Sequence, residues 1–291
     1  MSILITGANG VIGKDLVKIL SRKHNIYGIY RTKNKEIKKI KNVKWIKHNL
    51  KKKIKKIYPS PKYIIHCAVD QRYKEKKNDK YIKSNYKLFK NIVDFAGMVK
   101  AKLIINFSSI EVYGNINTKI LNESYKPNNP NAYGKIKFYS EKYLHNQKIN
   151  FINIRLPGVL CEFNQKDSER PWLNTVFNKM KKNKSVIIHN AKTKFNSVIN
   201  TKDIANLINY IINKNIRIRD TFNFVGSNPI KIENLLNFAK KKIKSKSKIV
   251  KSLDHDKNSF TISTNKLEKK LKFKSQTIEK IVKNHLQNNF I

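Results

Sequence analysis

The sequence predicts an α/β protein built on a doubly wound parallel sheet, and three observations carry that expectation. Short apolar, β-branched runs alternate with stretches of helical periodicity, the pattern of strand, crossover helix and parallel strand. A glycine-rich turn follows the first of these runs at once. Further along, an apolar run ends in Ser108-Ser109, and a later segment carries Tyr133 and Lys137 four positions apart, which puts both on one face of a helix.

In chain order, Ile3-Leu4-Ile5 reads as a buried first strand. Thr6-Gly7-Ala8-Asn9-Gly10-Val11-Ile12-Gly13 reads as the turn that opens a helix from Lys14 to Leu20. Glycines at that spacing let the backbone turn sharply and approach a pyrophosphate, while the helix N-terminus supplies free N–H groups and a favourable dipole. Thr6, Gly7, Asn9, Gly10, Val11, Ile12 and Gly13 are therefore candidate cofactor-binding residues. The second strand is Ile26 to Tyr30. An acidic residue at its end would meet the ribose hydroxyls of NAD, whereas a basic one accommodates the 2′-phosphate of NADP. The chain reads Tyr30-Arg31-Thr32-Lys33. With Arg31 on the phosphate, NADP(H) is favoured and NAD(H) stays open; the alternative is that Arg31 is one more solvated cation.

Lys35 to Lys41 reads as a charged helix or loop, Val43 to Ile46 as the third strand ending at His48-Asn49-Leu50, and Tyr63 to Val69 as the fourth strand with a tight turn. His66 and Cys67 invite a metal or a nucleophile. Neither has a partner at ligand or triad spacing, so both are read as packing and backbone positions and no metal is expected. Tyr81 to Ala96 suits a helix packed through Ile82, Leu88, Ile92, Val93 and Phe95. Leu103 to Phe107 is a buried parallel strand that Ser108-Ser109 end. The helix bearing Tyr133 and Lys137 continues through Phe138, Glu141 and Leu144, and Phe151 to Leu156 is the next strand.

A phenol of ordinary pKa about 10 is a poor base near neutrality, but a fixed cation beside it favours the phenolate. Tyr133 could then exchange a proton with a substrate hydroxyl or carbonyl, and Ser109, at the carboxyl end of its strand, could hydrogen-bond the same oxygen. Ser108-Ser109-Ile110-Glu111-Val112-Tyr113-Gly114 followed by Tyr133-Gly134-Lys135-Ile136-Lys137 resembles the extended short-chain dehydrogenase/reductase family: the sugar-nucleotide epimerases, dehydratases and 4-keto reductases. The T-G-x-x-G-x-x-G turn has the form that resemblance calls for. It covers essentially the whole chain, with specific motifs confined to roughly the first 160 residues.

The resemblance implies a Rossmann-like sheet with Ser109, Tyr133 and Lys137 as the catalytic trio. It implies further cofactor contacts at Asn49 and Leu50, at Cys67, Ala68 and Val69, at Asn85 and Ser108, at Tyr133 and Lys137, and at Pro157 beside the nicotinamide. Asn49 departs from the family's usual aspartate but can still hydrogen-bond the adenine. Residues 1–160 are expected to form the NAD(P)-binding domain, completed by a segment near 195–225, and 161–291 a smaller C-terminal substrate-binding lobe. In that lobe Glu162 to Trp172 reads as a loop, where Arg170 either meets substrate phosphates or is plain surface charge. Phe195 to Ala205 resembles the family's late strand and helix start, with Thr201 as cap. Thr221 to Gly226 reads as a strand, Ile232 to Lys242 as a helix, and Thr264 to Leu286 as a terminal helix pair.

Family dehydratases carry an acidic or hydroxyl residue followed by glutamate in the serine loop. Here those positions are Ile110 and Glu111, and Ile110 cannot donate a proton. Glu111 either bears on substrate or is a solvated loop acid. Arg31 tips the expectation to an NADPH-dependent reductase of a 4-keto sugar nucleotide, in the synthesis of surface-polysaccharide precursors. The alternative is a sugar-nucleotide 4-epimerase that retains its NAD.

The formal charge of +44 invites a third reading, a non-catalytic dinucleotide-fold protein that binds nucleic acid through counterion release. Lysines are spread along nearly the whole chain, arginines are few, and Ile and Asn are also abundant, a profile of codon drift in an A+T-rich genome. Nucleic acid is thus not the expected partner; a nucleotide sugar is, and a homodimer is compatible with the sequence. No run of about 18 apolar residues and no basic-then-apolar leader stands out. The two cysteines, Cys67 and Cys161, form no disulfide framework, which suits a reducing cytoplasm.

Overall fold

The computed structural model describes residues 1–32, 40–55, 59–70, 78–163, 171–252 and 259–291. Arg170 and most of the expected Lys35–Lys41 segment lie outside them. Seven strands form the central sheet: β1 (Ser2–Thr6), β2 (Asn25–Tyr30), β3 (Val43–Lys47), β4 (Tyr63–His66), β5 (Leu103–Ser109), β6 (Phe151–Leu156) and β7 (Arg219–Asn223). Their order is β7-β6-β5-β4-β1-β2-β3, and the pairings of β1 with β2 and β4, β2 with β3, and β4 with β5 are parallel. The chain runs outward from β1 to β3, then crosses back to β4 and continues to the other edge. This is the Rossmann-like doubly wound order, which opens a crevice at the carboxyl ends of β1 and β4, the topological switch point.

Apolar strands form here because helices cover them. Leu4, Ile64 and Ile104 on neighbouring strands pack with Phe89, Ile92 and Val93 of α2 (Asn78–Met98) and Leu144 of α3 (Ala132–His145) in one buried cluster. The glycine turn delivers the chain from β1 into α1 (Val11–Leu20).

One local expectation is sharpened and one changes. Ser108 and Ser109 end their strand as its last two residues, so β5 reaches two positions past Phe107 to Ser109, whose backbone is extended, and both serines are buried. Buried hydroxyls with hydrogen-bond partners are compatible with strand geometry, so both serines belong to the strand. The cap of α5 (Thr201–Asn213) is Asn200 rather than Thr201: the Asn200 Oδ1 accepts the Asp203 N–H at 2.7 Å. Thr201 is already helical, and its hydroxyl oxygen accepts the Glu162 N–H at 3.1 Å.

The described chain divides into two compact units. The first comprises Met1–Asn115, Lys126–Arg155 and Ala205–Phe222 and holds almost all of the central sheet with α1, α2 and α3. The second comprises Ile116–Tyr125, Leu156–Ile204 and Asn223–Ile291. It contains α4 (Trp172–Lys181), α6 (Ile232–Ile243), α7 (Asn265–Leu271), α8 (Ile278–Asn289) and four two-stranded pairings, among them Gly158–Leu160 beside Val198–Asn200. In its interior His285 lies with Nε2 2.8 Å from the Asn174 Oδ1 and Nδ1 3.2 Å from the Cys161 carbonyl oxygen. Burial holds this imidazole down to about 4. No helix among the described residues is long and apolar enough to cross a membrane.

Candidate active site

Residues 103–115 and 126–155 belong to the first unit. After β5 the chain makes a single 3-10 turn, Ile110–Tyr113, opened by Ser109, whose Oγ accepts the Glu111 N–H at 3.2 Å. This turn docks on the start of α3. Asn131 caps the helix by accepting the Gly134 N–H at 2.8 Å, and its amide donates to the Glu111 carboxylate at 2.8 Å. Gly134 is required by the approach itself, since a Cβ there would stand 2.1 Å from the Glu111 carbonyl oxygen. The docking fixes the first turns of α3 against the end of β5.

Lys137 is only 4% exposed. Its ammonium donates to the Phe107 carbonyl at 2.6 Å and lies 5.6 Å from the centroid of the Tyr133 ring. Ser109 is two residues beyond Phe107 on the same strand. One turn further along α3, Glu141 forms a buried forked pair with Arg155 of β6, Nε to Oε1 at 3.0 Å and Nη2 to Oε2 at 2.7 Å. The Ser108 hydroxyl donates to the same carboxylate at 2.5 Å, and the guanidinium sits 4.7 Å from the centroid of the buried Tyr113 ring. Ser108 therefore faces Glu141.

A cavity of about 300 Å³ opens at the carboxyl ends of β1 to β4, lined by Gly7, Asn9 and Gly10 of the turn, Arg31 and Thr32 after β2, Asn49, Leu50 and Lys51 after β3, and Cys67, Ala68, Val69 and Asp70 after β4. Gly7 adopts φ +63°, and a Cβ on it would meet the Ala68 backbone at 2.9 Å; only glycine fits both demands. Gly10 precedes α1 without any side-chain cap, so the first-turn N–H groups of Val11, Ile12 and Gly13 donate to no capping side chain.

Behind the lining, Thr6 and His66 join β1 to β4. The Thr6 Oγ1 and the His66 Nδ1 share a hydrogen bond of 2.9 Å, and the Thr6 oxygen accepts the Ala68 N–H at 3.3 Å. Burial, with the Lys137 cation adding to it, pulls His66 down to about 3. Loss of hydration pushes the Cys67 thiol up to about 12 against the opposing Lys137 charge, so it is no nucleophile near neutrality. The same ammonium thus acts on residues at the cavity wall and on the face of Tyr133.

Two amides brace the wall. Asn85 holds the Asp70 backbone, accepting its N–H at 2.8 Å and donating to its carbonyl at 3.3 Å, and Asn91 donates to the Leu50 carbonyl at 2.8 Å. The Asp70 carboxylate receives Arg31 Nη1 at 2.7 Å on one oxygen, and Lys51 Nζ at 2.6 Å and the Ser84 hydroxyl at 2.8 Å on the other. Burial alone would raise this carboxyl; the bonds from Lys51, Arg31 and Ser84 outweigh it and hold it at about 2.

Of the residues named from sequence, Gly7, Asn9, Gly10, Arg31, Asn49, Leu50, Cys67, Ala68 and Val69 line one cavity, and Lys137 lies beside the Tyr133 ring while bonding β5 at Phe107, two residues before Ser109. Pro157 belongs to the second unit, just before Gly158–Leu160. Asp70, Lys51, Asn91 and the Glu141–Arg155 pair were not anticipated. An uncapped helix start, a glycine turn and neighbouring cations fit a dinucleotide with its pyrophosphate.

The family model described as "NAD dependent epimerase/dehydratase family" matches residues 3–224. No curated protein sequence matches the chain. Among solved structures, UDP-N-acetylglucosamine 4-epimerase from Bacillus cereus superposes with a TM-score of 0.80 at 18% identity, covering 99% of this chain and 99% of that one. UDP-glucose 4-epimerase from Thermotoga maritima, solved with UDP-glucose, gives 0.78 at 16% identity with 99% and 98% covered. The Bordetella bronchiseptica enzyme WbmG, solved with NAD, gives 0.79 at 16% with 99% and 93% covered. At these identities the structures speak for the fold.

Proposed function

Because the chain belongs to the NAD dependent epimerase/dehydratase family, we propose that it is a nucleotide-sugar epimerase that inverts a sugar carbinol carbon and keeps its nicotinamide dinucleotide through the cycle. The observation that carries this reading is the Lys137 ammonium beside the Tyr133 ring, on the strand end that bears Ser109. Structural neighbours that act on UDP-sugars support the substrate class.

When bound, the nicotinamide supplies a reversible acceptor for the hydrogen of the carbinol carbon. The chain does the rest. Tyr133, its phenolate favoured by the Lys137 cation, takes the hydroxyl proton as the carbonyl forms and gives it back on the return step. Ser109 hydrogen-bonds the same oxygen and fixes its position. The glycine turn and the start of α1 would hold the pyrophosphate, and Asn49 would meet the adenine. We assign sugar binding to residues 161–291. We read the protein as cytoplasmic, acting as a monomer or a homodimer.

The second reading, an NADPH-dependent 4-keto reductase, draws on Arg31 and Lys51 at the cavity wall. Its weakness is that Arg31 and Lys51 both bond to Asp70. The purified protein, offered nucleotide-linked sugars and 4-keto sugars with NADPH, separates the two. Isomerised product without net NADPH loss supports the epimerase; stoichiometric NADPH oxidation with the keto sugars overturns it in favour of the reductase.

A further inference from the structure

Arg31 follows β2, Lys51 follows β3 and Asp70 follows β4, so three strand ends bring two cations and one carboxylate to the same wall of the cavity. The three groups are not equivalent. The Arg31 and Lys51 side chains are 50% and 40% exposed, whereas that of Asp70 is 11% exposed. Asn85 clamps the Asp70 backbone on both its N–H and its carbonyl, and Ser84 takes one carboxylate oxygen. The carboxylate is therefore the fixed element, and the two long, wet side chains come to it.

The residue after β2 marks the position of the adenosine ribose in this type of sheet. A ribose 2′-phosphate there would need Arg31 and Lys51 as counter-charges. To take them it would have to strip both from Asp70, leaving a mostly buried carboxylate unpaired beside a second anion, which costs desolvation and repulsion together. A ribose 2′-hydroxyl asks for neither cation and leaves the cluster intact.

We propose that Asp70 is the specificity-determining residue of this cavity: a fixed carboxylate that occupies Arg31 and Lys51 and so selects NAD(H) against NADP(H). The inference rests on the reading that the cavity takes a dinucleotide, and it reverses the cofactor preference that Arg31 alone suggests.

Equilibrium binding of NADH and NADPH by titration calorimetry tests it without any turnover. The parent protein binds NADH at least about tenfold more tightly than NADPH, the size of one substantial charge interaction. Asp70→Asn keeps a partner for Ser84 but frees the cations; it moves the NADH/NADPH preference at least about tenfold towards NADPH. Arg31→Ala added to Asp70→Asn abolishes that gain. Asp70→Ser is the second variant and carries the same expectation if the first does not fold. An unchanged preference in both variants, an equal loss of both affinities, or a parent that prefers NADPH overturns the inference while leaving the enzyme reading standing. A parent that binds neither dinucleotide overturns both.

Discussion

The Lys137 ammonium lies 5.6 Å from the centroid of the Tyr133 ring while donating to the Phe107 carbonyl at 2.6 Å. That hydrogen bond anchors the cation to β5, so the charge facing the phenol is fixed. Tyr133→Phe removes the proton-transfer hydroxyl. It should bind dinucleotide as the parent does and lose about 10²- to 10⁴-fold in turnover, the range for a lost general acid or base. Calorimetry and steady-state rates check the two halves; parent-like turnover would remove Tyr133 from the chemistry.

The Asn85 amide serves the cavity through Asp70 rather than by lining it. Asn85→Leu keeps much of the volume but leaves the Asp70 N–H and the Asp70 and Tyr81 carbonyls without this partner. Each buried group so stranded costs about 1–3 kcal/mol. Dinucleotide affinity is expected to fall by about tenfold or more as the wall loosens, read by titration against the parent. Unaltered affinity would mean the backbone at Asp70 is held by other contacts.

Glu141 and Arg155 are both nearly inaccessible to solvent and paired through two hydrogen bonds. Removing one partner strands the other charge, so Arg155→Met should destabilise the fold by about 3–5 kcal/mol. The double variant Glu141→Leu with Arg155→Met should recover most of that loss. Denaturant unfolding measures both, and a single variant costing under about 1 kcal/mol would show that the pair is screened, as exposed pairs are.

Stability should fall with acid over two overlapping windows. His66 and His285 are held at about 3 and about 4, below the ordinary 6.5. Below pH 6.5 the unfolded chain therefore takes up protons that the folded one refuses. Each histidine then lowers stability by up to about 1.4 kcal/mol per pH unit as pH falls, down to its folded value. Asp70 works in a lower window: its carboxyl, at about 2 against an ordinary 3.8, contributes stability present above 3.8 and lost as pH falls through 2. Unfolding midpoints at pH 7 and pH 5 test the upper window, with His285→Gln flattening the slope. Equal midpoints would contradict the burial of neutral imidazoles.

The parts of the fold that could be read from the chain are those whose causes are local. Ile3-Leu4-Ile5 followed by Gly7, Gly10 and Gly13 encodes strand, turn and helix within a dozen residues, and the spacing of Tyr133 and Lys137 is a helix property. The Arg31–Asp70–Lys51 cluster was hidden because β2, β3 and β4 become neighbours of β1 or of each other only through sheet order. Arg155 did leave a signal, an arginine within Phe151-Ile152-Asn153-Ile154-Arg155-Leu156; a charge inside a buried strand needs a buried partner. Its partner Glu141 looked like any helix-surface acid. Ser108-Ser109 marked the end of β5 to within two residues; the last two positions are set by pairing and by what the hydroxyls can reach.

The most direct test follows one hydrogen. A nucleotide sugar carrying deuterium on the carbinol carbon to be inverted is converted in ordinary water, and the epimer is analysed by mass and NMR. The account predicts that the deuterium is retained on the inverted carbon, with the dinucleotide recovered in its starting oxidation state. Deuterium washed out to solvent would contradict it, because the carbon would then have lost a proton to a base and the nicotinamide would have no part in the inversion.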